Sequence, residues 1–162
     1  MQTHSSFNTI SIQLELKQAL YDQCVNYVNS RMDAAIVAIG EAQRASNDDT
    51  KSSAGDKYET GREMMQQEAN RNQLQLNEAN KLKTALNKIN PAVVAAKAGV
   101  GSVVLTDNGS FYIAVGAGVI TIGDEKYVAI SPASPIGLKI LGLKTGEGFI
   151  LNEKKYQIRQ IF

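Results

Sequence analysis

The chain reads YDQCVNYVNSRMDAAIVAIGEA over residues 21–42, and this stretch decides the fold of the first half. Apolar or small side chains recur in it at alternating steps of four and three, which is the spacing of a coiled-coil seam. Leu14 extends the series backward, with the polar Gln18 interrupting it. The pattern predicts a long helix with one buried stripe, formed by Tyr21, Val25, Val28, Met32, Ala35, Ile39 and Ala42.

A second run with nearly the same spacing follows over residues 65–89. Its seam positions are Met65, Ala69, Asn72, Leu76, Ala79, Leu82, Leu86 and Ile89. Between the two runs, residues 46–55 read SNDDTKSSAG and carry no apolar period. Because this connection is short, we expect the helices to fold back as an antiparallel hairpin with a tip loop at about residues 46–58. Ser53, with Asp56 three residues later, predicts a capping box that opens the second helix.

Composition changes sharply at Asn90-Pro91. Residues 1–90 hold three of the 13 glycines and none of the three prolines, so glycine and proline are concentrated in the second half. That half is also rich in Val and Ile, which favour strands. We therefore divide the chain into a helical hairpin, residues 1–90, and a β-rich domain, residues 91–162.

Six short strands are predicted in the second half, over residues 102–106, 110–115, 119–122, 126–130, 148–151 and 156–161. Turns are predicted at Asp107-Asn108-Gly109 and at residues 152–154, where side chains that tolerate positive φ cluster. One short helix over residues 136–141 interrupts the strands, with Ser134 as its N-cap, Pro135 at its first position and Gly142 at its end. The expected fold class is α+β, with the coiled-coil hairpin followed by a small antiparallel sheet and one helix.

Bulk properties exclude several classes of protein. The 162 residues carry 17 Lys and Arg against 16 Asp and Glu, and a net charge of +1 argues against a protein that coats nucleic acid. The single cysteine, Cys24, excludes an intramolecular disulfide and a multi-cysteine zinc site. The first residues lack the basic-then-apolar order of a signal peptide, and no apolar stretch approaches a membrane span, so we expect a cytoplasmic location.

One stretch of the second half resembles a known signature. Residues 130–147 read ISPASPIGLKILGLKTGE, which is similar to the pattern I-S-x-x-S-P-I-G-x-x-L-L-G-x-x-x-G-D/E of the GreA/GreB transcription elongation factors. The closing YQIRQI of residues 156–161 and the AIGEAQ of residues 38–43 also resemble parts of that family. Tyr58 is similar to the tyrosine that follows the family's tip. The resemblance covers most of the chain in the right order, and it implies an FKBP-like C-terminal domain.

The resemblance also implies a function. Family members bind bacterial RNA polymerase through the C-terminal domain and insert the coiled coil into its secondary channel. Acidic residues at the tip help hold a Mg²⁺ ion and a water, and the polymerase then cuts the 3′ end of backtracked RNA. Carboxylates are the hard oxygen ligands that Mg²⁺ prefers. The implied protein is thus an accessory factor rather than an enzyme. It has no cofactor of its own, shares Mg²⁺ with the polymerase and meets nascent RNA only there. Neither a membrane nor sequence-specific DNA is an expected partner.

The candidate site residues fall in two groups. At the tip, the resemblance makes Asp48 and Asp49 the candidate catalytic and metal-binding carboxylates, with Asp56 as a further candidate metal ligand and Tyr58 in a packing role. In the C-terminal domain, the candidate polymerase-binding residues are Ser131, Pro132, Ser134, Pro135 and Ile136.

The tip departs from the family pattern in one respect. Family members place a Glu three residues after the tip Asp, whereas Lys51 and Ser52 occupy those places here. Two alternatives therefore stand beside cleavage stimulation. One is a polymerase regulator that does not stimulate cleavage. The other is a coiled-coil interaction protein unrelated to polymerase, in which the polar seam positions Gln18 and Asn72 would set the helix register.

Overall fold

The computed structural model describes residues 3–49 and 55–162, with side chains for residues 8–48 and 59–162. Two long helices come first, and a sheet with one short helix follows, which confirms the α+β class. The elements are α1 (Thr3–Asp49), α2 (Gly55–Asn87), β1 (Val103–Thr106), β2 (Gly109–Ile113), β3 (Gly118–Ile122), β4 (Glu125–Ile130), α3 (Pro135–Ile140), β5 (Gly148–Leu151) and β6 (Lys154–Ile161). None of the helices, over the residues described, has an apolar stretch of the length needed to cross a membrane.

With the exception of Gln18, the predicted seam positions of both helices are buried or half-buried. In α2 the contrast is sharp. From Glu59 to the end of the helix, all residues outside the seam are exposed except Gly61, which is half-buried. Hydrogen bonds across the hairpin show the antiparallel arrangement. Tyr21 Oη donates to the carbonyl of Leu86 at 3.3 Å, and farther along α1 Arg31 Nη2 donates to Gln75 Oε1 at 3.4 Å. The partner number falls as the α1 number rises, as an antiparallel pair requires.

One seam assignment is wrong. Gln18 is exposed, while Lys17, Leu20 and Cys24 are the buried positions of this part of α1. The physical reason is that the first part of α1 packs against the sheet as well as against α2. The Cys24 thiol hydrogen-bonds to the backbone of Val115, two residues after β2, and Tyr112 of β2 is close to Cys24. A helix with two buried neighbours has a wider buried stripe than a coiled-coil seam.

The chain divides into two compact units. One combines the part of α1 up to Asn26 with Thr84–Phe162, and the other is the remainder of the hairpin, Tyr27–Lys83. The first unit thus contains both helix segments beside the sheet in addition to the sheet itself. The predicted boundary at Asn90-Pro91 instead marks where helix gives way to strand along the chain.

The six strands lie in the order β3-β4-β2-β1-β6-β5. Four of the five strand pairs are antiparallel as predicted, but β2 and β4 are parallel, with Phe111 beside Val128 and Ile113 beside Ile130. The chain runs through β3 in the direction opposite to β2 and reverses again in the hairpin between β3 and β4. The strand β4 therefore runs in the same direction as β2, and it lies between β2 and β3 in the sheet. This parallel pair corrects the prediction of a wholly antiparallel sheet.

The core of the first unit lies between α3 and one face of the sheet. Its buried members are Ala98, Val104, Phe111, Ile113, Ile130, Ile140, Phe149, Ile158 and Ile161. Ile158 and Ile161 share this face although their positions differ by three, an odd step that puts side chains on opposite faces of an unbroken strand. A register shift between Leu105 and Thr106 opposite β6 absorbs the extra residue. The predicted turn after β5 is a two-residue turn, with Asn152 at φ 49° and Glu153 at φ 64°.

Candidate functional site

The predicted polymerase-binding loop is a rigid turn in front of α3. Ser134 is the N-cap of α3 as predicted, since its Oγ accepts from the Gly137 N–H at 3.1 Å. The same Oγ donates to the Ser131 carbonyl at 2.6 Å, and Ser131 Oγ accepts from the Ala133 N–H at 3.2 Å. The Ser134 side chain thus satisfies one of the N–H groups that a helix start leaves open, and the Ser131 side chain stabilises the turn before it. The turn has a fixed shape of its own.

Exposure differs along this loop. Pro135 is the first residue of α3 and is exposed, whereas Ser131, Pro132 and Ser134 are half-buried. Ile136 is also half-buried and packs against the core of the sheet. The loop therefore presents Pro135 outward and uses Ile136 to attach itself to the domain. The sequence pattern predicted that all five residues contact the polymerase. In the structure Pro135 faces outward, whereas Ile136 packs against the core.

Gly137 fixes how closely α3 approaches the loop. A Cβ atom built at this position would lie 2.3 Å from the carbonyl oxygen of Ser131 and 2.9 Å from that of Pro132. Both contacts are to backbone, which has little room to move. The glycine of the SPIG stretch is thus required by packing, because only a residue without a side chain lets the helix start so near the preceding turn.

Leu138 is an exposed apolar residue that the sequence pattern did not identify as part of the candidate binding surface. It is 66% exposed on α3, three residues after Pro135 and on the same side of the helix. Leu141, the C-cap residue, is also exposed. The signal was available, because Ile136 and Ile140 share the opposite, buried side of a short helix. An apolar side chain beside Pro135 extends the outward surface of the loop.

The end of the hairpin differs from the predicted loop. Residues 46–49 continue α1 and residues 55–58 begin α2, so the helices reach farther into the predicted tip loop on both sides. No glycine or proline occurs between Gly40 and Gly55. The loss of an apolar period after Ala42 therefore marks the end of the seam, and a polar helix continues beyond it.

The candidate tip residues lie in or next to these helix ends. Asp48 is exposed in the last turn of α1, and Asp49 is the final residue of that helix. The side chains of Asp49, Asp56 and Tyr58 lie outside the described residues, as does Ser53 of the predicted capping box. Among the side chains that the structure describes, no group of three or more His, Cys, Asp or Glu is placed to hold a metal ion.

A groove of about 300 Å³ lies between the two helices close to their described ends. Its walls carry amide and hydroxyl groups together with a few apolar side chains. The lining residues are Ala42, Gln43, Ser46, Asn47, Met65, Gln66 and Ala69. The groove exists because the facing seam positions Ala42 and Ala69 are too small to fill the space between the helices. This pairing of alanines was visible in the sequence, but its consequence was not drawn from it.

Three titratable groups lie buried where α1 meets the sheet and the connection after α2. Burial raises the pKa of the Cys24 thiol to about 11, and burial also raises the pKa of Tyr112, with smaller contributions from the neighbouring Cys24, Tyr21 and Asp22. The Tyr112 hydroxyl is fully buried and has no hydrogen-bond partner among the residues that the structure describes. Burial lowers the pKa of Lys17, whose ammonium donates to the carbonyl of Val93. None of these groups is near the candidate loop before α3 in sequence, and Cys24 is a small residue of the core.

No protein-family model, curated protein or solved structure matches this chain.

Proposed function

We propose that this chain is a Gre-like accessory factor of bacterial RNA polymerase. In this proposal the turn before α3 docks on the polymerase, and the end of the hairpin acts in the secondary channel. The observation that supports it best is the turn over residues 131–137, in which Ser131, Ser134 and Gly137 form one hydrogen-bonded, closely packed unit that presents Pro135. A signature-like string that folds into a rigid exposed turn is suited to recognition.

The end of the hairpin supplies the chemistry in this proposal. Asp48 is exposed and is followed by Asp49, so carboxylates stand where α1 ends. Two carboxylates provide fewer oxygen atoms than the six-coordinate shell that Mg²⁺ demands. The polymerase and water therefore supply the remaining ligands, and the factor adds a carboxylate that helps orient the metal-bound water.

A second candidate is a channel factor that does not stimulate cleavage. It is favoured by Lys51 and Ser52, which stand at the places of the family's second acid and offer no carboxylate there.

The experiment is RNA cleavage in a stalled, backtracked complex of the cognate polymerase, with and without this protein. We expect faster 3′ cleavage with the natural protein and a loss of about 100-fold or more of that stimulation in Asp48→Asn combined with Asp49→Asn, a magnitude typical of losing a group that orients the attacking water. Polymerase binding should be unchanged in the same variant. Glu41→Gln is the matched control, since it removes a negative charge from an exposed position of α1 seven residues earlier.

Each outcome has a definite meaning. Full stimulation by the Asp48/Asp49 variant would exclude these carboxylates as metal ligands. Polymerase binding without faster cleavage by the natural protein would establish the non-cleaving regulator. Absence of binding would overturn both candidates and leave the coiled-coil interaction protein, whose partners would then be sought by co-purification from native cells.

A further inference from the structure

Lys17 is a charged side chain in a place where charge is costly. It is 1% exposed, and it is the only buried charged side chain among the residues that the structure describes. Its ammonium donates to the backbone carbonyl of Val93, which is 76 residues away in the chain. Desolvation lowers the pKa of Lys17, as expected for a buried ammonium. A methionine of similar length would fill the same space without that cost.

Val93 belongs to the connection that leads from α2 to the sheet. The side chain of Val93 is 55% exposed, and its neighbours Ala92, Val94 and Ala96 are exposed as well. A segment that leaves its apolar groups in water is not held in place by the hydrophobic effect. Something more specific must fix its path.

Hydrogen bonds fix the two ends of this connection. At the start, Asn90 forms a local turn, accepting from the Ala92 N–H at its side chain (3.0 Å) and from the Val93 N–H at its carbonyl (3.2 Å). At the finish, the Ala98 N–H donates to Leu143 at 2.8 Å, and the Gly142 N–H donates to Ala98 at 2.8 Å. Between these ends, the bond from Lys17 is the contact that ties the connection to α1.

We propose that Lys17 is a positioning residue that pins the connection between α2 and β1 to the side of α1. The bond is directional, so it sets where the chain leaves the hairpin, which apolar packing of exposed valines does not do. Its contribution is to the path of residues 90–97 rather than to the overall stability of the fold. This inference does not depend on the proposed polymerase function.

The test is hydrogen exchange of the Ala92 and Val93 amides in Lys17→Met. We expect these amides to exchange about tenfold faster, since a hydrogen bond to a charged group contributes on the order of the free energy that a tenfold change represents. The Ala98 amide, which donates to Leu143, should not change. The urea midpoint should stay equal or rise, because the variant removes a buried charge and the exposed connection can offer the Val93 carbonyl to water.

Tyr21→Phe is the matched control. Tyr21 lies one helical turn after Lys17 and also donates to a backbone carbonyl, but that carbonyl belongs to Leu86 inside α2. Exchange at Ala92 and Val93 should be unchanged in this control. If Tyr21→Phe accelerates these amides as much as Lys17→Met does, the pinning role is overturned.

Two other results would also overturn the proposal. One is unchanged exchange at Ala92 and Val93 in a stable Lys17→Met protein. The other is a large loss of overall stability, because Lys17 would then be a structural residue of the whole unit. If Lys17→Met does not fold, Lys17→Leu carries the same comparison, since its side chain is also neutral and has no hydrogen-bond donor. Failure of both variants to fold counts against the proposal.

Discussion

The hydroxyl of Tyr112 is a polar group that the fold buries without a hydrogen-bond partner. An unsatisfied buried donor costs about 1–3 kcal/mol, while the ring itself contributes apolar burial. Tyr112→Phe keeps the ring and removes the hydroxyl. We expect the free energy of unfolding in urea to rise by about 1 kcal/mol.

Tyr21→Phe is the control for Tyr112→Phe, and we expect the opposite effect on stability. The Tyr21 hydroxyl donates to the carbonyl of Leu86, so its removal should lower the free energy of unfolding by about 0.5–1 kcal/mol. A Tyr112→Phe protein less stable than the natural one would show that the buried hydroxyl is satisfied after all, for example by an internal water.

Cys24 should make the fold sensitive to alkaline pH. Burial raises the pKa of this thiol from 9.0 to about 11, so above pH 9 the unfolded chain loses the proton while the folded chain keeps it. The contribution is fully present below pH 9 and is lost as pH rises towards 11, at up to about 1.4 kcal/mol per pH unit. We expect the free energy of unfolding to fall over this window.

The Cys24→Ala variant isolates this effect. It will be less stable at every pH because it leaves a cavity, but its stability should fall less steeply between pH 9 and 10 than that of the natural protein. Lys17 and Tyr112 titrate in both proteins, so the difference between the two curves reports on Cys24. Parallel curves for the two proteins would contradict the assignment.

At the scale of elements, local residue chemistry predicted most of the second half. All six strands were placed to within a few residues, and α3 begins at Ser134-Pro135 because an N-cap and a preset φ act on their immediate neighbours. The parallel pairing of β2 with β4 was not predictable in this way. Nothing within either strand specifies which strand lies beside it, since pairing depends on the path of the intervening chain.

The two errors in the hairpin have a common origin. The apolar period of a helix reports only its contact with one partner helix. It therefore predicts a loop at the polar residues 46–49, where the helix continues, and it does not identify Lys17, which is buried beside the connection after α2. The same limit applies to the candidate site. The roles of Ser134 and Gly137 depend on their immediate neighbours in the chain, so the sequence indicates them. The groove between Ala42 and Ala69 depends on how two helices pack, which the sequence of neither helix specifies alone.

Gly137 tests how strictly α3 depends on its approach to the preceding turn. Gly137→Ala forces a methyl group against the carbonyl of Ser131, and the loop or helix must shift. We expect a loss of about 2 kcal/mol in urea unfolding, after the gain in helix propensity is deducted. Binding to the polymerase should weaken as well if the turn docks as proposed.

Gly116→Ala is the control for Gly137. A Cβ atom at Gly116 meets nothing within 4 Å, and its φ is not in the left-handed region. Its stability should stay within about 0.5 kcal/mol of the natural protein. Equal losses in the two variants would show that the cost comes from removing a glycine in general and not from the close approach of α3.

At the scale of the whole molecule, burial is distributed unevenly along one continuous helix. Up to Asn26, α1 contributes the fully buried Leu20 and Cys24 to the first unit, where it packs against both α2 and the sheet. In the second unit, the buried seam side chains are Val28, Ala35, Ala42 and Ala79, three of which are alanines. A seam whose fully buried side chains are mostly alanines, with its larger side chains only half-buried, removes less apolar area from water and so contributes less free energy.

This difference predicts two levels of protection within α1. We expect the amides of residues 30–45 to exchange through local opening, at least about tenfold faster than those of residues 17–25, which should exchange only when the first unit unfolds. The measurement is native-state hydrogen exchange resolved by residue, with increasing urea. Exchange of residues 17–25 should depend strongly on urea, because global unfolding exposes much surface. Exchange of residues 30–45 should depend on urea only weakly, because local opening exposes little surface. Equal protection and equal urea dependence along α1 would instead mean that the hairpin opens only together with the sheet, and that the sparse seam is stabilised by helix pairing as strongly as the core is by burial.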